Sequence, residues 1–147
     1  MTRLLGIDFG ERRIGLAVST EDVVLPLRTL ERRNDREAVE TIVGVAREQS
    51  ASRLVVGEPL RVDGTRGAAA ERARSFAARL ERRSGLPVSL HPETLTTVAA
   101  RERLRDAGVD LRRFPERLDA VAAQVLLEDF LRTGAPERAA GAGTSWG

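Results

Sequence analysis

Apolar residues fall in short runs near the start of the chain and at helical spacing later. Leu4 to Phe9 is a largely apolar run ended by Gly10, and Ile14 to Ser19 is another. The charged tetrad Gly10-Glu11-Arg12-Arg13 between them predicts a β-hairpin. A third strand is expected from Val24 to Leu30, with Pro26 placing it at a sheet edge. Asn34 offers an N-cap with Glu37 three residues on, and Val39, Ile42, Val43 and Ala46 follow at helical spacing, so a helix runs to about Gln49.

The second half alternates strand and helix. Leu54-Val55-Val56-Gly57 reads as a short buried strand, followed by a loop, Glu58 to Arg66, that contains the turn pair Asp63-Gly64. Gly67 to Arg83 carries Ala69, Ala73, Phe76, Ala77 and Leu80 on one helical stripe, and Gly85-Leu86-Pro87 stops it. A strand from Val88 to about His91 and helices over Thr96–Ala107 and Pro115–Arg132 complete the order. A meander of three strands feeding βαβ crossovers implies an α/β fold, a mixed sheet with helices on both faces. One domain over residues 1–133 is expected, with Gly134 to Gly147 as a disordered C-terminal tail.

Composition narrows the chemistry. The 147 residues contain 24 basic side chains, all of them arginine, with no cysteine and one histidine. Without lysine there is no Schiff-base amine and no P-loop lysine, and without cysteine there is no thiolate nucleophile, disulfide or zinc knuckle. The pI of about 10.6 overstates the basicity, because the net charge is only +2. A nucleic-acid argument must therefore rest on where the arginines lie. No apolar run approaches the roughly 20 residues that span a bilayer, and the start lacks a cleavage signal, so a cytoplasmic protein without a membrane segment is expected.

What remains for chemistry is carboxylates, hydroxyls, backbone amides and arginine. Asp8 interrupts an apolar strand, where a buried carboxylate costs several kcal/mol unless it is paired or bound to a metal. Gly6 and Gly10 beside it would let a ligand approach the backbone. Glu93 leaves the end of a strand just before a helix, where ligands bind in open α/β sheets. Asp119 lies on the apolar stripe of the last helix with Ala122, Ala123, Leu126 and Phe130. Each acid also has an ordinary reading: a turn cap, a helix-dipole partner, a first-turn acid. Three acids at awkward places favour one shared cation site, and hard oxygen ligands imply Mg2+ or Mn2+. Such sites suit phosphodiester cleavage by water.

Four blocks then match a family in order: Asp8-Phe9-Gly10 with Arg13-Ile14-Gly15; Gly57-Glu58-Pro59-Leu60 with Asp63-Gly64-Thr65; Glu93-Thr94-Leu95-Thr96-Thr97; and Asp119 with Ala122-Ala123-Gln124. Together they resemble the YqgF/RuvX family of ribonuclease H-like, Holliday-junction-resolvase-like proteins, assigned as nucleases maturing the 5′ end of pre-16S ribosomal RNA. The resemblance implies a ribonuclease H-like mixed five-stranded sheet with helices on both faces. It also implies an acidic triad of Asp8, Glu93 and Asp119, and it suggests Glu58 as a fourth metal ligand, against the plain alternative of an exposed loop glutamate. Arg12, Arg13, Arg61 and Arg66 are expected to flank the acids and meet phosphates, whereas Arg72, Arg79, Arg82 and Arg83 read as a solvated helix face. The expected partner is nucleic acid, pre-rRNA by preference and branched DNA otherwise. The alternatives are a DNA junction resolvase and a non-catalytic nucleic-acid module of the same fold. The latter draws on Pro92 and Thr94, where the family usually has Asp and Arg.

Overall fold

The computed structural model describes residues 2–21, 23–93, 96–133 and 137–138. Strands β1 (Leu4–Phe9), β2 (Arg13–Thr20) and β3 (Val23–Glu31) form the antiparallel meander. After helix α1 (Asp35–Glu48), strands β4 (Arg53–Pro59) and β5 (Val88–Glu93) add in parallel beside β1, joined by α2 (Ala68–Ser84). Helices α3 (Thr96–Asp106) and α4 (Glu116–Thr133) follow. The sheet order is β3-β2-β1-β4-β5-β6. Its five long strands are those expected. The sixth, β6 (Glu137–Arg138), is two residues of the segment read as a tail, paired antiparallel with Ser89 and Leu90 of β5. The rest of that segment lies outside the described residues.

Local chemistry explains the boundaries. Asn34 caps α1, its Oδ1 accepting the Glu37 N–H at 2.8 Å, a contact worth about 1 kcal/mol. Helix α2 ends at Gly85, whose φ of 73° is left-handed and whose N–H caps the Glu81 carbonyl. Strand β3 tolerates Pro26 because β3 is the edge, and the register slips between Leu16 and Ala17 opposite it.

The two faces of the sheet differ in what covers them. On one, α1 and α2 pack Ile42, Phe76 and Leu80 against Leu5, Ile7, Leu54, Val56 and Leu90, which form the main core. Phe9 is part of it, stacked on Phe76 at 4.2 Å with the Arg32 guanidinium 4.0 Å above its ring. The other face is covered by α4 through a smaller cluster that includes Leu4, Ala17, Val55, Ala123 and Leu127. Helix α3 lies on α4, with Ala100 and Leu104 against Val121 and Ala122. Along each strand, side chains alternate between these faces.

Candidate active site

That alternation sorts the acids. Leu5, Ile7 and Phe9 point to the α1/α2 face, so Asp8 points to the α4 face. In β5, Val88 and Leu90 point to α2, so Glu93 shares the face of Asp8, and its carboxyl carbon lies beside Gly57 of β4, between the two. Asp119 sits in the first turn of α4, over that same face. Three acids from β1, β5 and α4 thus gather near the carboxyl ends of the parallel strands.

Small residues make the approach of α4 possible. A Cβ on Gly15 of β2 would lie 1.9 Å from the Asp119 carbonyl oxygen, so only glycine lets the helix backbone come that close. Gly6 serves the same packing, since a Cβ there would meet the Ala123 carbonyl oxygen at 3.2 Å. Gly10 fits the hairpin turn, where a Cβ would stand 2.6 Å from the Arg13 carbonyl oxygen. The expectation that Gly6 and Gly10 open a path for a ligand is therefore corrected: protein backbone fills both spaces.

The electrostatics of the three acids are unequal. Burial, then a hydrogen bond and charge from Glu93, then the charge of Asp119, push the Asp8 carboxyl well above the usual carboxylate range. Glu93 is oriented from its other side by the Thr96 hydroxyl, which donates to Oε1 at 2.9 Å. Asp119 is paired instead with Arg13, whose Nε–H donates to Oδ2 at 2.7 Å. The donor set is all carboxylate oxygen, and Asp8 stands beside two further acids that raise its carboxyl. Asp8 and Glu93 therefore fit a hard divalent cation. Among the described residues no three acids or histidines stand close enough to hold an ion as they are placed. Asp119 is the one of the three bridged to an arginine, Arg13.

Glu58 is elsewhere. It alternates with Leu54 and Val56 onto the α2 face, is 2% exposed, and accepts from Arg66 Nε at 2.9 Å and from Arg74 Nε at 2.5 Å. The expected fourth ligand is thus a buried ion-paired anchor on the opposite face. It is not an exposed loop glutamate either. The arginine expectation changes with it. Of Arg12, Arg13, Arg61 and Arg66, Arg13 meets one of the three acids, Asp119. Arg66 turns to Glu58, Arg61 folds over its own loop toward Thr65 and Gly67, and Arg12 is exposed in the hairpin turn.

Three contributors escape a reading of the chain alone. Arg74 completes the Glu58 cluster. Arg32 braces the first turn by donating to the Gly10 carbonyl at 3.1 Å while bridging Asp35. Thr96 holds Glu93, and the three-residue spacing from Glu93 to Thr96 was the available signal for it. Nearby, Asp129 is held below the usual carboxylate range by its hydrogen bond with His91 at 2.6 Å and by Arg132. Pro92 pairs with Glu58 in the register of β5 against β4, and Thr94 lies outside the described residues.

A mixed sheet with an antiparallel meander first, two parallel crossovers, and carboxylates meeting a covering helix defines the class: a ribonuclease H-like α/β domain. The solved structure of Thermus thermophilus RuvC in complex with a Holliday junction substrate has this fold, with a TM-score of 0.61 over 94% of this chain and 99% of that one. At 15% identity that likeness carries the fold alone. The sequence profile of the RuvX family, described as Holliday junction resolvase, matches residues 2–133, and the chain belongs to that family. Its relatives include a protein of Anaeromyxobacter dehalogenans strain 2CP-C, 44% identical over 91% of this chain and 99% of its own length. Another, from Chloroflexus aurantiacus strain J-10-fl, is 39% identical over 87% of this chain and 85% of its own. Both carry the name "Putative pre-16S rRNA nuclease".

Proposed function

We propose that this chain is a nuclease that hydrolyses phosphodiester bonds in a ribosomal RNA precursor, at the 5′ end of pre-16S rRNA. Asp8, Glu93 and Asp119 are its site residues, and Mg2+ or Mn2+ is its cofactor. The observation that carries the reading is the placement of Asp8, Glu93 and Asp119 on one face of the sheet, where desolvation, then Glu93 and then Asp119 raise the Asp8 carboxyl. An acid crowded by two others at a cost to its own ionisation suits a cation site. When bound, such an ion lowers the pKa of water and neutralises charge developing on the phosphate.

The protein groups have separate tasks in this reading. Asp8 and Glu93, with Asp119, would hold the cation, and Thr96 orients Glu93 by donating to its Oε1. Arg13 holds Asp119 in place by its bridge, and its guanidinium, beside the acids, would meet the substrate phosphate. The names of the relatives support RNA as substrate, and the proposed location is the cytoplasm. No helix among the described residues is long and apolar enough to cross a membrane.

The family description favours one second reading, resolution of four-way DNA junctions. A cleavage assay with Mg2+ and with Mn2+, on a precursor RNA carrying its 5′ leader and on a four-way DNA junction, separates the two. We expect the RNA to be cut, with the rate falling at least ~10³-fold, about 4 kcal/mol of barrier, in Asp8→Asn. Cleavage of the junction alone would transfer the assignment to DNA. If neither substrate is cut by the unaltered protein, the chain is a binding module and the nuclease reading is wrong.

A further inference from the structure

The face opposite the acids has a charged feature that the nuclease site does not use. Between α1 and α2 lies an open hollow of ≈ 500 Å³ lined by Arg36, Val39, Glu40, Arg79, Arg82 and Arg83. Read along the chain, Arg79, Arg82 and Arg83 are an ordinary solvated face of α2. The packing of α1 against α2 adds Arg36 across the gap, so that guanidinium groups from two helices line one space. Four arginines against one glutamate leave three positive charges there, in a chain whose whole net charge is +2.

These charges are not consumed by internal pairing. Glu40 bridges Arg83 at 2.7 Å. Arg36, Arg79 and Arg82 have no ion pair among the described residues. Like charges held together without counter-charges repel, and the repulsion is relieved by an anion. Net charge elsewhere being slightly negative, this hollow is a local positive field rather than part of a uniformly basic surface.

We propose that this hollow is a second nucleic-acid site, which binds the phosphate backbone of a double-stranded segment of RNA on the side of the sheet away from Asp8. The inference rests on the nuclease reading for its choice of ligand, and the hydrogen-bonding inventory supports the same choice. Guanidinium groups only donate, and phosphate oxygens only accept. A peptide segment would bring N–H donors as well, for which the lining offers the single carboxylate of Glu40, already bridged to Arg83. Val39 is the sole apolar side chain of the lining and is itself buried, so no apolar anchor pocket exists for a protein partner. Arginine binds phosphate in a bidentate fork without reading base identity. The site therefore holds a structured arm of the precursor in place while its end reaches the acids on the other face.

The test is the salt dependence of binding to a 30-base-pair RNA duplex, followed by fluorescence anisotropy without divalent cation so that nothing is cut. The triple variant Arg36→Gln, Arg79→Gln, Arg82→Gln removes the unpaired charges and leaves the Arg83–Glu40 bridge. Each lost phosphate contact lowers the slope of log K against log salt by about 0.9, so a fall of about 2 to 3 is expected, with affinity at 0.1 M salt reduced about 100-fold. The triple Arg→Lys variant retains most of the slope. Unchanged circular dichroism and unchanged cleavage of a short oligonucleotide that reaches only the acids show that fold and active site are intact. A variant slope equal to that of the unaltered protein overturns the proposal, as does absence of duplex binding by the unaltered protein. Failure of all cleavage beside a slope that still falls in the variant would refute the nuclease reading and keep the groove.

Discussion

Two carboxylates on neighbouring strands, Asp8 of β1 and Glu58 of β4, have opposite surroundings. Glu58 is buried against two arginines, each donating at 2.9 Å or less. Asp8 is half-buried beside two further acids, and its carboxyl is pushed up by desolvation, by Glu93 and by Asp119. Desolvation acts on both; only Glu58 is compensated. A compensated buried charge anchors structure, here the start of α2 and the loop before it. An uncompensated one carries a cost to stability, which the cation proposed for this site would offset.

The comparison can be broken most forcefully at Glu58. Glu58→Gln leaves the cluster of Arg66 and Arg74 without its carboxylate, and we expect a loss of about 3 kcal/mol in urea denaturation. Mn2+ affinity measured by calorimetry should not change. A marked loss of Mn2+ affinity in a still-folded variant would return Glu58 to the metal site.

A somewhat smaller effect is expected at Gly15, which sets the distance from α4 to the sheet. In Gly15→Ala the new Cβ collides with the Asp119 carbonyl, and overpacking of this kind costs about 1–3 kcal/mol. The helix must shift, and Asp119 with it, so Mn2+ affinity should fall along with stability. Equal stability and affinity would mean that the close approach is not needed.

The smallest change in stability is expected at Asp8, and its sign is opposite. The folded-state pKa of Asp8 lies above the unfolded value, so the native protein binds more protons in the window between the two. Stability of the metal-free protein therefore falls as pH rises from the ordinary carboxylate range, near 3.8, through the raised value. Asp8→Asn removes this loss, so its melting temperature at neutral pH should exceed that of the unaltered chain, with a flatter pH profile. The gain should be absent at pH 3. Destabilisation at neutral pH would show that the Asp8 environment is compensated after all.

Much of this contrast is written in the chain, and the missing part has a definite cause. Asp8, Glu93 and Asp119 stand out because each interrupts or ends an apolar pattern, and burial of an acid is costly whatever the fold. Glu58 stands out for the same reason, directly after Leu54-Val55-Val56-Gly57, yet its role was not legible. In a strand, one residue of offset exchanges the faces. Whether Glu58 joins Asp8 or opposes it depends on how β4 registers against β1, where Ile7 pairs with Val56 and both face the main core. Likewise the pairing of Arg13 with Asp119 spans 106 residues, and nothing local to either one announces the other.

The amino-acid sequence by itself determined the elements, through apolar periodicity, the Asn34 cap and the Gly85 stop. It also marked the acids that interrupt or end an apolar pattern. Tertiary structure alone decided which face each acid meets and which charges stand beside it. The physical reason is that side-chain alternation is local, whereas register, helix approach and electrostatic partnership join segments distant along the chain. The same holds for the arginines: α2 carries Arg79, Arg82 and Arg83 on its solvated face, and only its packing against α1 adds Arg36 and makes a hollow of them.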